Sequence, residues 1–172
     1  MIALSCETDF VAKNELFQQF GQTLLDTAFI HRPATLEELL SLVAEDGMQI
    51  KEKITELVGK IGEKVAVTDY AILNSETVVS YMHIGAKLGV LVGMEGEKNE
   101  SIIAVGKDIA MHIAAMNPLA IDKDDTDTTS VDQENILLIQ PFVKNNGLTI
   151  AQHLANSSSK VKITAFKRVS IV

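Results

Sequence analysis

Along the 172 residues the spacing of apolar positions changes several times, and each change marks an element. Ile2 to Ser5 reads as a short strand. The polar stretch behind it carries Asp9 and Phe10. A phenylalanine in a loop has none of the backbone roles that Gly, Pro, Asn, Asp and Ser play there. Next come Phe17, Phe20, Leu24, Leu25, Ala28 and Phe29, spaced as one face of a helix that Asn14 caps. His31-Arg32-Pro33 ends that helix. Thr35 with Glu38 reads as a capping box opening a second helix through about Val43. Asp46-Gly47 is a turn, and Ile50, Ile54, Leu57, Val58 and Ile61 mark a third helix.

After Gly62 the pattern turns to β. Lys64 to Ser80 holds two runs, K-V-A-V-T-D-Y-A-I-L and T-V-V-S, joined at Asn74-Ser75-Glu76. Leu88 to Met94 is a third strand. Asn99 caps a helix that stops before Asn117-Pro118. An acidic, threonine-rich loop fills 121–130, short helices follow around Val131–Leu138 and Thr149–Leu154, and Lys160–Val172 closes the chain as a strand. Strand, polar loop, helix and proline occur twice, at Ile2–Pro33 and Leu88–Pro118. Gly21 and Gly106 are 85 apart (106 − 21), Pro33 and Pro118 share that offset, and the apolar phase of the two helices is kept without a gap. A repeat of this kind sets the architecture. The expected fold is α+β: two related subdomains, residues 1–70 and 71–172, each a small antiparallel sheet packed with helices.

Composition narrows the function. Hydrophobic residues make up 47% and aromatic ones 5%, so the core is built from aliphatic side chains. The net charge of −8, with no Lys/Arg cluster, argues against nucleic-acid binding and leaves a protein partner open. One cysteine, Cys6, allows no intrachain disulfide and fits a reducing compartment. The first residues lack the pattern of a signal peptide, and no apolar run nears the roughly 18 residues of a spanning helix. The expectation is a soluble cytoplasmic protein without membrane contact.

No catalytic constellation emerges. His31, His83, His112 and His153 match no zinc spacing, and His112 and His153 read as structural. His83, at a strand end in Y-M-H-I-G, is the more suggestive one but lacks a partner in the pattern. The loop Asp122–Asp127 invites calcium but puts Asp127 where a glycine is needed and Gln133 where a bidentate glutamate is needed. Gly85, Gly89 and Gly93 around a strand fit neither a dinucleotide nor a phosphate loop, and read as marking bulges or close backbone approach. Cys6 reads as a small packed residue. No catalytic residue, metal site or cofactor is expected.

The motifs then converge. C-E-T-D-F-V-A-K-N-E-L-F (Cys6–Phe17) resembles the signature of elongation factor Ts, the guanine-nucleotide exchange factor of elongation factor Tu. K-I-G-E (Lys60–Glu63), H-I-G-A-K-L-G-V-L-V (His83–Val92), D-I-A-M-H-I-A-A-M-N-P (Asp108–Pro118) and Q-P-F-V (Gln140–Val143) are similar to further family segments, in family order. The resemblance implies two similar core subdomains and a protein-binding factor rather than an enzyme. It implies a partner, the GTPase domain of Tu, whose GDP release is promoted during translation elongation by disturbing the magnesium and phosphate site. Asp9 and Phe10, flanked by Thr8 and Val11, are the implied wedge. Ile61 and Gly62 match positions that contact the same domain, and His83 matches a histidine near the interface. Two departures stand out: the family's N-terminal helical module is missing ahead of the first strand, and the long helical hairpin is reduced to the loop at 121–130. An exchange-deficient core acting only as a binding or assembly module is the alternative. A small α+β enzyme would instead need a pocket gathering His83 with carboxylates. Edge strands leave a homodimer open.

Overall fold

The computed structural model describes residues 1–96, 99–123, 131–157 and 161–171. It is an α+β fold of helices and small antiparallel sheets. The order is β1 (Ile2–Cys6), α1 (Asp9–Ala12), α2 (Glu15–His31), α3 (Leu36–Ser41), α4 (Ile50–Ile61), β2 (Val65–Tyr70), β3 (Thr77–Met82), β4 (Leu88–Glu95), α5 (Glu100–Met116), β5 (Pro141–Phe142), β6 (Asn145–Thr149), α6 (Ile150–Ser157) and β7 (Lys162–Ser170). Two short 3-10 turns, Gln133–Asn135 and Leu137–Ile139, lie between α5 and β5. The chain divides into two compact units, Met1–Ile72 with Ile171, and Leu73–Ser170.

In the first unit β1 pairs with β2, and α2 and α4 pack on them. Asn14 starts α2 by accepting the Leu16 N–H at 2.8 Å. Arg32 ends it in the left-handed conformation, directly before Pro33. Leu24 and Ile50 are fully buried in this core, and Leu39 of α3 is fully buried as well. In the second unit β4 lies between β3 and β7, and α5 packs across β3 and β4. Val90, Val92, Met94, Ile109, Ile113 and Leu137 are fully buried there.

Several local expectations need correction. Leu25 and Phe29 do not share the buried face of α2; they are exposed, and Thr27 is buried instead, donating its hydroxyl to the Thr23 carbonyl at 2.8 Å. The second helix ends at Ser41, because Leu42 takes an extended conformation. Thr35 caps it as expected, but the Glu38 carboxylate reaches the Ala34 N–H rather than that of Thr35. The runs either side of Asn74-Ser75-Glu76 join different sheets. The first run stops at Tyr70. The region from Val131 to Leu138 is 3-10 turns, not helix. A hairpin of β5 and β6 precedes α6, where only a helix was expected. Residues 124–130, most of the acidic loop, lie outside the described residues, as do 160 and 172 of the closing strand.

The repeat is visible atom by atom. Helices α2 and α5 each have 17 residues, Asn14 and Asn99 as N-caps, and left-handed Arg32 and Asn117 as C-caps. All these pairs keep the 85-residue offset. The strands match through their bulges. Ala3/Leu4 opposite Asp69/Val67 skips Thr68, and Gly93/Met94 opposite Ala165/Ile163 skips Thr164. Leu4 therefore corresponds to Met94. Ten positions lead from Leu4 to Asn14 (14 − 4), but only five from Met94 to Asn99 (99 − 94). The first unit has five extra residues between strand and helix, and α1 is built from that surplus.

His112 is enclosed in the second unit. Its Nδ1 accepts the Val143 N–H at 3.3 Å, so its Nε2 carries the proton and donates to Gln140 Oε1 at 2.9 Å. Gln140 passes the chain on to the Glu134 carbonyl at 2.7 Å. Burial holds the imidazole pKa below the ordinary histidine value, with the Gln140 bond opposing. As pH falls through about 6.5, the unfolded chain takes up this proton first. Stability therefore drops from there until the folded-state value is passed. His112→Gln should cost stability at pH 7 yet flatten the loss between pH 7 and 5. Parallel unfolding curves for the two proteins across that range would contradict this.

Candidate functional site

The end of β1 delivers the chain to a short projection. Cys6 pairs with Val65, so this end lies beside the segment that leaves α4. Glu7 Oε2 accepts the Lys64 N–H at 3.3 Å. Thr8 is extended and caps α1: its Oγ1 accepts the Val11 N–H at 3.3 Å. The same hydroxyl donates to the Glu63 carboxylate, with both oxygens at 3.0 Å. Backbone bonds from Ala12, Lys13 and Asn14 to the carbonyls of Thr8, Phe10 and Val11 close the turn.

Side chains in one helical turn point in different directions. Val11 is buried in the core of the first unit, next in sequence to Phe10, which is 88% exposed. Asp9 is exposed on the same turn. Asp9 and Phe10, expected in a loop, thus stand on a single helical turn anchored inward by Val11 and sideways by Thr8. A fully buried phenylalanine would gain about 1.5–3 kcal/mol. Phe10 forgoes nearly all of it.

Ile61 and Gly62 end α4. Ile61 packs partly against the core, and Gly62 is left-handed with φ 78°, donating its N–H to the Val58 carbonyl at 2.8 Å. That positive φ is why glycine stands there. The next residue is Glu63, the brace of Thr8. The fold therefore brings Thr8, Asp9, Phe10 and Val11 together with Ile61 and Gly62 in one unit. His83 belongs to the other unit, at the β3–β4 turn. Its backbone N–H donates to the Leu88 carbonyl at 2.9 Å, and Nδ1 lies 3.0 Å from the Tyr81 hydroxyl. Two neighbours take positive φ, Gly85 at 89° and Ala86 at 55°.

Sequence reasoning missed two residues. Glu63 stands in the sequence only within K-I-G-E, and nothing in its spacing announces a contact 55 residues back. Ile84 is 93% exposed at the hairpin tip. Its signal was an isoleucine directly before a turn glycine. Among the described residues no group of three or more His, Cys, Asp or Glu can hold a metal ion. Nor is any described helix long and apolar enough to cross a membrane.

Comparison with known proteins shows the family of the chain. The family profile "Elongation factor TS" matches residues 7–136. The elongation factor Ts of Amoebophilus asiaticus is 43% identical, with 99% of this chain and 73% of that protein covered. Those of Cytophaga hutchinsonii and Porphyromonas gingivalis are 34% and 36% identical with the same coverage. The first alignment runs over 203 positions, so at least 31 of them (203 − 172) have no counterpart among the 172 residues here. On the matched profile and these relatives, the chain belongs to the elongation factor Ts family.

Proposed function

We propose that this chain is a cytoplasmic guanine-nucleotide exchange factor that binds the GTPase elongation factor Tu and drives GDP off it during translation elongation. The observation that carries the reading is Phe10, a bare aromatic on a braced single turn. An exchange factor must bind the nucleotide-free partner better than the loaded one, and linkage then weakens nucleotide binding by the same factor. Such a task requires a rigid projection, not an acid or a base. Phenylalanine brings apolar area on two rotatable bonds, so little entropy is lost on docking. Asp9 beside it brings a carboxylate able to compete for groups around the partner's magnesium ion. Disturbing that ion removes the charge that holds the phosphates. Ile61, Gly62 and His83 are the further contact positions in this reading.

A second reading has its own support. At least 31 aligned positions of a relative have no counterpart here. If they carry partner contacts, the chain binds without driving exchange. Fluorescent GDP loaded on Tu separates the two. The exchange reading expects faster release on adding this chain. Binding by a pull-down of Tu with unchanged release would establish the second reading.

A further inference from the structure

The turn that carries Phe10 has little of its own to hold it. α1 has four residues, far too few for a helix to persist on its own hydrogen bonds. Of these only Val11 is buried. The second unit joins the corresponding strand and helix with five residues fewer, so the frame that both units share does not seat this turn. One buried side chain fixes a point, and a turn can still swing about a point. Phe10 stands next to that point with nearly all of its surface bare.

A second fixed point lies at Thr8, and Glu63 makes it. The ladder between β1 and β2 ends at the pair Cys6 and Val65. Continued in the same antiparallel register, Glu7 falls opposite Lys64 and Thr8 opposite Glu63. Backbone pairing stops there because the chain turns into α1, and side chains take over from both sides. The Glu7 carboxylate accepts the Lys64 N–H at 3.3 Å, and the Thr8 hydroxyl donates to Glu63 with both carboxylate oxygens at 3.0 Å. A hydroxyl has a single proton, so the two oxygens share it. The Thr8 oxygen meanwhile accepts the Val11 N–H at 3.3 Å. Giving its proton to a carboxylate polarises the hydroxyl and strengthens the bond it accepts. Glu63 thus acts through Thr8 on the capped amide of α1. Left-handed Gly62 turns the chain out of α4 directly before it.

We propose that Glu63 is a positioning residue for nucleotide exchange: its carboxylate locks the α1 turn to the end of α4, and Phe10 works on the partner only with that lock closed. The lock also joins the two contact segments of the exchange reading, Thr8–Val11 and Ile61–Gly62, into one surface. A surface ordered beforehand loses less entropy on docking. The inference rests on the exchange reading for its consequence, and on the hydrogen bonds alone for the lock.

GDP release from Tu, measured with Glu63→Ala and Glu63→Gln in the wild-type and the Phe10→Ala backgrounds, tests it. Glu63→Ala should slow release about tenfold, as loss of a hydrogen bond to a charged group does. Glu63→Gln loses the same charge but keeps an acceptor about half as strong, so it should slow release only about threefold. In the Phe10→Ala background, with the factor raised until release stands clear of the spontaneous rate, Glu63→Ala should cost nothing further. Melting curves should be unchanged, and the amides of Val11 to Asn14 should lose protection from hydrogen exchange in Glu63→Ala. Equal losses in the Ala and Gln variants, or a full further loss in the Phe10→Ala background, overturn the proposal, because Glu63 would then act by its charge or on its own. A wild type that fails to speed release defeats the exchange reading instead. Hydrogen exchange then judges the lock, and unchanged α1 amides in Glu63→Ala overturn it.

Discussion

Gly106→Ala is expected to lower the stability of the second unit by about 1–3 kcal/mol, the usual cost of forcing a methyl into a filled core. Gly21→Ala, at the equivalent place in the first unit, is expected to raise stability by about 1 kcal/mol, the helix-propensity difference between the two residues. The opposite signs come from one geometric difference. A Cβ on Gly106 would sit 2.6 Å from Met94 Cε, 2.7 Å from Val79 Cγ2 and 3.1 Å from Val79 Cβ. The end of Met94 can swing aside. Val79 is β-branched, stiff and held in the middle of β3, so it cannot. A Cβ on Gly21 would make one ordinary contact with Leu4. Denaturant titration at low protein concentration, with hydrogen exchange reporting each helix separately, distinguishes the two. Equal signs would mean that the two helices are seated alike, against the geometry described here.

The repeat was legible in the sequence because both helices keep one apolar phase and both end at a proline. Caps at Asn14 and Asn99 were legible for the same local reason, since a side chain that accepts an N–H two or three residues on leaves a local trace. What the pattern could not convey was which apolar residues stay bare. Leu25 and Phe29 fit the helical stripe, but among the described residues nothing covers them. Periodicity records the side of a helix, not whether anything lies against it. The hairpin of β5 and β6 was missed because β6 reads N-N-G-L-T, with turn residues where a strand signal is sought. In the site, the oddity of Phe10 was legible at once, and the motif resemblance supplied its meaning. The supporting turn was not. α1 has four residues, too few for any periodicity, and its brace at Glu63 lies far along the chain.

Phe10→Ala is expected to slow stimulated GDP release at least about 30-fold at limiting factor concentration, the effect of losing an interface residue worth about 2 kcal/mol. The same change should leave the fold within about 0.5 kcal/mol of wild type, as surface substitutions usually do. The separation is the informative part. Phe10 is 88% exposed, so the folded chain has little to lose with it. Val11, its neighbour, is buried in the core, and Val11→Ala would lower stability and function together. Substituting Phe10, unlike Val11, divides the two quantities.

The most direct test is a stopped-flow measurement of fluorescent GDP leaving Tu, at matched concentrations of wild-type and Phe10→Ala protein with identical melting curves. The account predicts rapid release with the wild type and release close to the spontaneous rate with the variant. Equal acceleration by both proteins would contradict it, and would move the source of exchange away from the turn at Asp9–Ala12.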